Sequence, residues 1–390
     1  MKIRNNNVIQ STKLLRYPID YSLLWVALIL LAFGLIMIFS ATITSPKYGP
    51  YSTIIKQFAY AISIGFFCYI VANKIPMNFY NSKFSVWFIL FIISLLLTLC
   101  IMKFLGYGSI NGAVRWLKFG PVTIQPSELF KIATILYLSC FFIRKKDVIN
   151  NKNKSIHVRS LVGMLLPAVG LLAILYTKDL GSFAVIIGIM LSMYMLTRTF
   201  FRYIIYIAIG CALIALCLII FDYERTARII TYLHRSDIYG NGYQVTIALE
   251  SIANGGLFGQ GLAQGQKSHR IPEVHTDFIF SLIYEEIGLI GITIFCLTYA
   301  WLILRTGSIA SLAEKSKQYF SYYVANGILF MFALQLTIHI WVNLGLLPNK
   351  GLTLPLISYG GSSLFVSMFS IAILLRIDYE NRRQLLGDYR

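Results

Sequence analysis

The chain has 390 residues, of which 57% are hydrophobic and only 13% are charged. A soluble domain usually carries about 25% charged residues, so this composition, with a mean hydropathy of +0.70, excludes a soluble protein. The net charge of +18 would also suit nucleic-acid binding, but the basic residues gather in loops on one predicted side of the membrane, which favours topology over nucleic acid as the reason.

We predict an all-α polytopic membrane protein with about ten transmembrane helices, since each span needs roughly 20 apolar residues. The chain from 1 to 390 is interpreted as a single integral membrane domain, and its first apolar run as a span, not a cleaved signal. The alternation of basic loops places both tails, 1–20 and 377–390, in the cytoplasm. The predicted spans are 21–43, 52–73, 84–105, 125–143, 161–177, 182–197, 203–221, 276–304, 322–344 and 361–376.

Two predicted extracytoplasmic loops are more than connectors. The first covers about 106–124 and is rich in glycine. The second, 222–275, lies between spans 7 and 8, and a loop longer than about 15 residues is usually functional or disordered. Apolar residues recur at helical spacing from Val245 to Ala253, which predicts a short amphipathic helix inside this large structured loop.

Glu128 and Lys131 lie three residues apart near the outer end of the fourth span, just after Pro126, which suits a first helical turn. One interpretation is an ion pair that neutralises itself and fixes helix packing. The other is that the two side chains line a cavity used by a substrate. The sequence leaves both open.

Several basic residues fall on the predicted outer face, where the positive-inside rule disfavours cations. Arginine binds phosphate through a bidentate fork, and lysine does so as a point charge. The set therefore predicts an anionic ligand, although any single member could be solvated loop charge. Its members are Arg115, Lys118, Arg225, Arg228, Arg235, Lys267 and Arg270, with Lys350 as a further cation before the last span.

Asp277 stands at the edge of the eighth span. A carboxylate beside a long apolar segment is costly unless it is paired or faces water, which makes it a functional-site candidate by default. Burial raises the pKa of a carboxyl group and nearby cations lower it, so such a group can serve as a general base. His275 lies two residues earlier, and Glu285 follows at i+8 on the same face of a continuous helix. The alternative is that Asp277 caps the helix N-terminus.

The segment from Asn343 to Ser363 is rich in glycine and proline between the last two spans. Irregular backbone at membrane depth is tolerated only where it is buried or lines a cavity. We therefore predict a structured or re-entrant loop, with Ser358 as a candidate for substrate contact.

At these places the chain resembles the SEDS family of cell-wall polymerases, the FtsW/RodA group. The matching motifs occur in family order and extend over nearly the whole chain. They are Ser40-Ala-Thr42, Gly112-Ala-Val-Arg-Trp116, Gln125-Pro-Ser-Glu128 with Lys131, Gly255-Gly-Leu-Phe-Gly-Gln-Gly261, Pro272 to Phe280, Glu285-Glu-Ile-Gly288 and Leu354-Pro-Leu-Ile-Ser-Tyr-Gly-Gly-Ser-Ser363.

The resemblance implies a ten-span glycosyltransferase of the bacterial inner membrane that polymerises lipid II into peptidoglycan beside a class B penicillin-binding protein. Asp277 falls on the family's essential acid, and Glu128 and Lys131 fall on its charged pair. The implied mechanism has Asp277 accept the proton of the acceptor hydroxyl while Arg115 and Lys267 stabilise the departing pyrophosphate. No cofactor is certain, and a divalent cation that assists the reaction, Mg²⁺ or Mn²⁺, stays open.

The family branch is indicated by local sequence. Gln266-Lys267 and Leu347-Pro-Asn-Lys-Gly351 look more like the division branch than the elongation branch. The division branch predicts a place at the septum among other division membrane proteins. The chain departs from the family's usual pattern at Ala263, Gly265 and Lys178, the last of which precedes Asp179. Two functions of other classes stay open: a lipid II flippase and a non-catalytic division scaffold.

Overall fold

The computed structural model describes residues 20–43, 50–107, 114–120, 122–145, 161–197, 209–210, 241–348 and 351–385. Most of these residues are helical. The α-helices are α1 (Tyr21–Ile43), α2 (Pro50–Lys74), α3 (Met77–Tyr80), α4 (Phe84–Phe104), α5 (Pro126–Arg144), α6 (Leu165–Tyr176), α7 (Leu180–Met195), α8 (Asn241–Gly255), α9 (Ile279–Lys315), α10 (Tyr319–Asn343) and α11 (Gly361–Leu385). Strands β1 (Leu117–Phe119) and β2 (Val122–Ile124) form an antiparallel hairpin.

Seven of the described helices are long and apolar enough to cross a membrane: α1, α2, α4, α5, α9, α10 and α11. Helices α6 and α7 are apolar but shorter, with 12 and 16 residues. The helical, multi-pass character predicted from composition is thus confirmed. The predicted span 203–221 lies outside the described residues except for 209–210, so it stays a prediction.

Two helices continue beyond the apolar residues of their predicted spans. Helix α9 runs to Lys315 instead of ending near 304, and α11 runs to Leu385 instead of ending at 376. The predicted tail 377–390 is therefore helical as far as Leu385. Charged pairs four residues apart, such as Arg376 with Glu380 (2.6 Å), support the polar extension of α11.

The amphipathic helix predicted in the long loop is present as α8. Its apolar side is buried at Ile247 and Ala248, and it packs against α9 and α10. By contrast, the β1–β2 hairpin in the first outer loop was not predicted. The described part of the fold is therefore helical with one small sheet that precedes α5.

Residues 344–360 leave helical geometry between α10 and α11, although the structure does not describe 349–350. Leu354 and Ile357 are fully buried in this segment. A Cβ on Gly34, in the middle of α1, would lie 2.7 Å from the Leu356 carbonyl oxygen. The segment therefore packs deep against α1, which confirms the predicted structured loop.

Helix α9 is interrupted at Gly288, where φ is 68° and ψ is −171°. In a continuous helix the N–H groups of Leu289 and Ile290 would donate to the carbonyls of Glu285 and Glu286. The break frees these four backbone groups. Inside or beside a membrane, freed groups must find other partners.

The freed groups are satisfied by the glycine-rich segment 255–261, which follows α8. This segment takes the place of the missing helical turn. Each of the four groups thereby keeps a hydrogen-bond partner. The bonds run from Gln260 N–H to Glu285 O (2.9 Å), from Gly261 N–H to Glu286 O (3.0 Å), from Leu289 N–H to Gly256 O (2.9 Å) and from Ile290 N–H to Leu257 O (3.2 Å).

Glycine is required for this close approach. A Cβ on Gly288 would lie 2.3 Å from the Gly259 nitrogen, and a Cβ on Gly259 would lie 2.2 Å from the Glu286 carbonyl oxygen. Both distances are shorter than a Cβ contact that real structures adopt. The two backbones can therefore lie together only without side chains at these positions.

We expect Gly288→Ala to destabilise the protein on the order of 1–3 kcal/mol, the cost of a strained left-handed residue, and more if the inserted segment is expelled. Gly65→Ala is the matched control, because a Cβ there meets only Met368 Cε at an ordinary 3.5 Å. Thermal unfolding of the purified proteins in detergent measures the difference. Equal midpoint temperatures for the two variants would contradict the packing described here.

Candidate functional site

Asp277 lies before helix α9 and does not cap it. The helix begins at Ile279, and the residue at its N-cap is Phe278, which makes no side-chain capping bond. The capping alternative for Asp277 is therefore wrong. The turn that carries Asp277 is closed instead by the Glu273 carbonyl, which accepts the Asp277 N–H at 3.4 Å.

Asp277 and Arg115 both lie against Gly351. A Cβ on Gly351 would lie 3.2 Å from Arg115 Nη1 and 3.5 Å from Asp277 Oδ2. Gly351 has φ of 66°, so glycine provides both the conformation and the space. The segments that contain Arg115, Asp277 and Gly351 are far apart in the sequence and thus come together in the fold.

The surroundings of Asp277 tune its acidity. Burial raises the pKa of the Asp277 carboxyl to about 6, although the Arg115 guanidinium opposes the rise. The side chain keeps partial access to solvent. A carboxyl group with this pKa is mainly ionised at neutral pH and is a stronger base than an ordinary aspartate, as a general base requires.

Side chains on one face of α10 bind both the segment that contains Asp277 and the segment that contains Gly351. Asn343 Nδ2 donates to the Asp277 carbonyl oxygen at 3.2 Å. One turn earlier, His339 Nδ1 donates to the carbonyl oxygen of Leu352 at 2.9 Å, next to Gly351. Both side chains are buried, so α10 fixes the distance between the Asp277 segment and the Gly351 segment.

His339 and Asn343 were missed in the sequence. The signal was present, because polar side chains four residues apart lie on one face of a helix, and an ionisable residue within a span is by default a functional candidate. The importance of the pair depends on which carbonyls it reaches. Those contacts cross between segments and have no local pattern.

Ser358 and His275 attach the Asp277 segment to the structured segment 344–360 between α10 and α11. Ser358 Oγ donates to the Thr276 carbonyl oxygen at 2.7 Å. The Tyr359 N–H donates to the His275 carbonyl oxygen at 2.9 Å, and the two rings pack edge to face. These contacts position Asp277, and direct contact of Ser358 or His275 with a substrate stays a prediction.

Arg115 is held from a different side. Its Nη2 donates to the Lys178 carbonyl oxygen at 2.7 Å, just before α7. Asp179 caps α7 by accepting the Ser182 N–H at 3.3 Å and also accepts from Ser127 Oγ at 2.7 Å. Buried Asp179 therefore joins the starts of α5 and α7.

Glu128 and Lys131 form a buried ion pair within α5, with 2.7 Å between Lys131 Nζ and Glu128 Oε1. Neither side chain has appreciable exposure. This geometry is the one that the packing interpretation predicted. A substrate-lining role for the pair stays a prediction.

Glu285 does not share a helical face with Asp277, because the helix begins only at Ile279. Its carboxylate instead accepts the N–H groups of Lys267 (3.0 Å) and Ser268 (2.8 Å). It also accepts from Asn254 Nδ2 at 2.9 Å. Glu285 thus holds the segment after α8 in place, and its predicted substrate contact has no support in these bonds.

The predicted outer cations are dispersed. Arg270 lies exposed at the end of a short 3₁₀ helix, Ser268–Arg270. Lys267 pairs through Nζ with Glu250 Oε2 at 2.9 Å on the surface of α8. Lys118 lies exposed on β1, opposite Thr123. Arg115 alone among the described predicted cations acts on the Asp277 carboxyl. Outside the described residues lie Lys350, Arg225, Arg228 and Arg235.

The described residues therefore supply a base and a cation side by side, at one end of the membrane-spanning helices. His, Cys, Asp and Glu side chains do not form a cluster of three that could hold a metal ion within this described part. Such an arrangement suits proton transfer beside an anionic leaving group.

Comparisons with known proteins show the family of the chain. The family described as cell cycle protein, which comprises FtsW, RodA and SpoVE, matches residues 21–383. The chain is 38% identical to a probable peptidoglycan glycosyltransferase FtsW of Allochromatium vinosum, over 94% of this chain and 91% of that protein. It is 35% identical to one of the same name from Neisseria gonorrhoeae, over 94% and 86%.

Solved structures share the fold. A chain from a study entitled "Structural coordination of polymerization and crosslinking by a peptidoglycan synthase complex" superposes with a TM-score of 0.73 at 21% identity, over 93% of this chain and 98% of that one. The rod-shape-determining protein RodA of Thermus thermophilus gives a TM-score of 0.66 at 22% identity, over 93% and 97%. The protein is a member of the FtsW/RodA/SpoVE family.

Proposed function

We propose that the protein is a peptidoglycan glycosyltransferase that polymerises lipid II at the outer face of the bacterial inner membrane during septal division. The observation that carries the proposal is the position of Asp277 and Arg115 on either side of Gly351, with Arg115 acting on the Asp277 carboxyl. The names of the curated relatives support the same reaction and the division branch. An elongation-type polymerase is the alternative within the family.

The proposed step is a displacement at an anomeric carbon. The 4-hydroxyl of the acceptor GlcNAc loses its proton to Asp277, and its oxygen bonds to the anomeric carbon of the donor MurNAc. The bond from that carbon to the undecaprenyl pyrophosphate breaks, and the electron pair leaves with the pyrophosphate. Arg115 stabilises the negative charge of this leaving group.

The proposed setting includes partners. A class B penicillin-binding protein would crosslink the strands as they form, together with other division membrane proteins. Both termini lie in the cytoplasm in this proposal. A Mg²⁺ or Mn²⁺ ion that assists the reaction would bind through the pyrophosphate, since such ions commonly combine a few protein ligands with substrate phosphates.

A lipid II flippase is the second candidate. The observation that favours it is the buried Glu128–Lys131 pair inside α5, because transporters place essential charges within the membrane. The site at Asp277 lies instead at the end of the spans, where a reaction on one face of the membrane would occur. A non-catalytic scaffold that activates the transpeptidase is the third candidate.

Asp277→Asn should abolish polymerisation of labelled lipid II by the purified protein with its cognate penicillin-binding protein. The amide has nearly the same shape but accepts no proton, so we expect a loss of about 10²–10⁴-fold in rate. Binding of the variant to its partner serves as the control for folding.

Wild-type rates in this variant would remove Asp277 from the mechanism. If neither protein makes strands, a lipid II translocation assay in vesicles tests the flippase. If the variant still supports division in cells, the scaffold accounts for the function.

The rate should depend on pH through Asp277. A base must be ionised, so the rate should fall about tenfold per pH unit below its pKa of about 6 and level off above it. Arg115→Gln removes the charge that lowers this pKa, so the pH at which the rate begins to fall should increase. Lys118→Gln removes a charge from β1 and should leave that pH unchanged. An unchanged pH dependence in Arg115→Gln would contradict an effect of Arg115 on the Asp277 carboxyl.

Gly351→Ala should lower the polymerisation rate by about tenfold, because the new Cβ would lie 3.2 Å from Arg115 Nη1 and push the guanidinium out of place, while Asp277 Oδ2, at 3.5 Å, stays in ordinary contact. Gly120→Ala is the matched control: Gly120 also has a positive φ, of 60°, but a Cβ there meets nothing within 4 Å. The two variants therefore carry similar backbone strain and differ in contact with the site. Equal rates would show that strain alone matters.

A further inference from the structure

A cavity of about 510 Å³ lies between α1, α2 and α11, away from the Asp277 site. Its walls are residues 24–31 of α1, 65–73 of α2 and 368–379 of α11, with Leu356 of the structured segment 344–360 among the lining residues. All three helices are long and apolar enough to span a membrane. The cavity therefore borders the hydrocarbon region.

The polar groups of the cavity gather at one end. Asn73 and Arg376 meet there, with Arg376 Nη1 donating to the Asn73 carbonyl oxygen at 2.8 Å. The Arg376 guanidinium also lies 5.5 Å from the centre of the Tyr379 ring. The remaining lining side chains are mostly apolar, such as Leu24, Leu28 and Met368. The ligand that fits has an apolar chain and a polar head at one end.

The depth of the cavity corresponds to one leaflet. Met368 and Tyr379 are 11 residues apart on α11, which is about 16 Å at 1.5 Å per residue. A hydrocarbon core is about 30 Å thick. The cavity can therefore take one acyl chain from a single side of the bilayer.

The leaflet follows from where the polar end lies. Helix α11 begins at Gly361 on the side of the Asp277 site, since the Tyr359 N–H, two residues earlier, donates to the His275 carbonyl oxygen at 2.9 Å. Arg376 is 15 residues further along, or about 22 Å. The head of the ligand would thus lie at the opposite interface from Asp277, in the leaflet that does not face the proposed reaction.

The charge of the protein at that interface favours a lipid with an anionic head group. The last turns of α2, α5, α9 and α11, all of which end there, carry five basic residues against one acid, Glu314, and basic surfaces attract anionic lipids. The basic residues are Lys74, Arg144, Lys315, Arg382 and Arg383. Three acids at this end are already paired, Asp20 with Arg305, Glu380 with Arg376 and Asp378 with Arg382. Lys74, Arg144, Lys315 and Arg383 against Glu314 keep the interface net basic.

We propose that this cavity binds one acyl chain of an anionic glycerophospholipid from the leaflet opposite the Asp277 site. The occupant is a membrane lipid and not the tail of a substrate, because its head lies at the wrong interface for the reaction. The proposal does not depend on the proposed function.

The test is photo-crosslinking of the full chain in phosphatidylcholine nanodiscs that contain a little phosphatidylglycerol with a diazirine in its acyl chain. Cross-linked peptides, identified by mass spectrometry, should come from residues 65–73 and 368–379. A phosphatidylcholine probe should label these peptides less. Gly65→Leu should lower the labelling about tenfold by filling the space.

Gly65→Leu should still fold, because a Cβ at Gly65 meets only Met368 Cε at 3.5 Å and leucine favours a helix more than glycine does. Ile62→Leu, on the exposed face of the same helix, is the control and should label as the wild type. Equal labelling in the two variants would overturn the proposal, as would stronger labelling of these walls by a polyprenyl phosphate probe. If Gly65→Leu has a melting temperature well below that of Ile62→Leu, Gly65→Ala is used in its place. Gly65→Ala should give a loss of labelling between those of wild type and Gly65→Leu.

Discussion

A helix that breaks beside a membrane must satisfy the backbone groups that the break sets free. Helix α9 meets this constraint at Gly288 by accepting the segment 255–261 into its hydrogen-bond ladder. The insertion ties the end of α8 to the start of α9, so the chain between them, which includes Asp277, is fixed at both ends. Glu285 strengthens the tie by binding two backbone N–H groups of the intervening loop. The position of Asp277 thus depends on a backbone arrangement that glycine alone permits.

The site is assembled by side chains that bind carbonyl groups of other segments. Asn343 and His339 reach from α10 to the Asp277 and Leu352 carbonyls, and Ser358 reaches the Thr276 carbonyl. Such bonds set distances without taking part in chemistry. They place Asp277 near Arg115, and the Asp277 carboxyl has a pKa of about 6. This carboxylate can accept a proton, and the neighbouring cation can stabilise an anionic leaving group.

The sequence predicts those features that depend on local pattern. Apolar length predicted most of the spans, and the cost of an isolated carboxylate beside a span singled out Asp277. Contacts between distant segments could not be predicted. The role of Asp179 depends on Ser127 of another helix. Glu285 is out of register with Asp277 because α9 begins only at Ile279. Helix ends were extended by polar residues that an apolar criterion does not count.

The central claim is that Asp277 and Arg115 act as one unit, and a double-mutant cycle tests it most directly. Single-turnover polymerisation of lipid II would be measured for wild type, Asp277→Asn, Arg115→Gln and the double variant. Residues that act as a unit are not additive, so the double variant should be about as slow as the slower single variant. Rate losses that multiply would contradict the claim, because they would mean that the two side chains act independently.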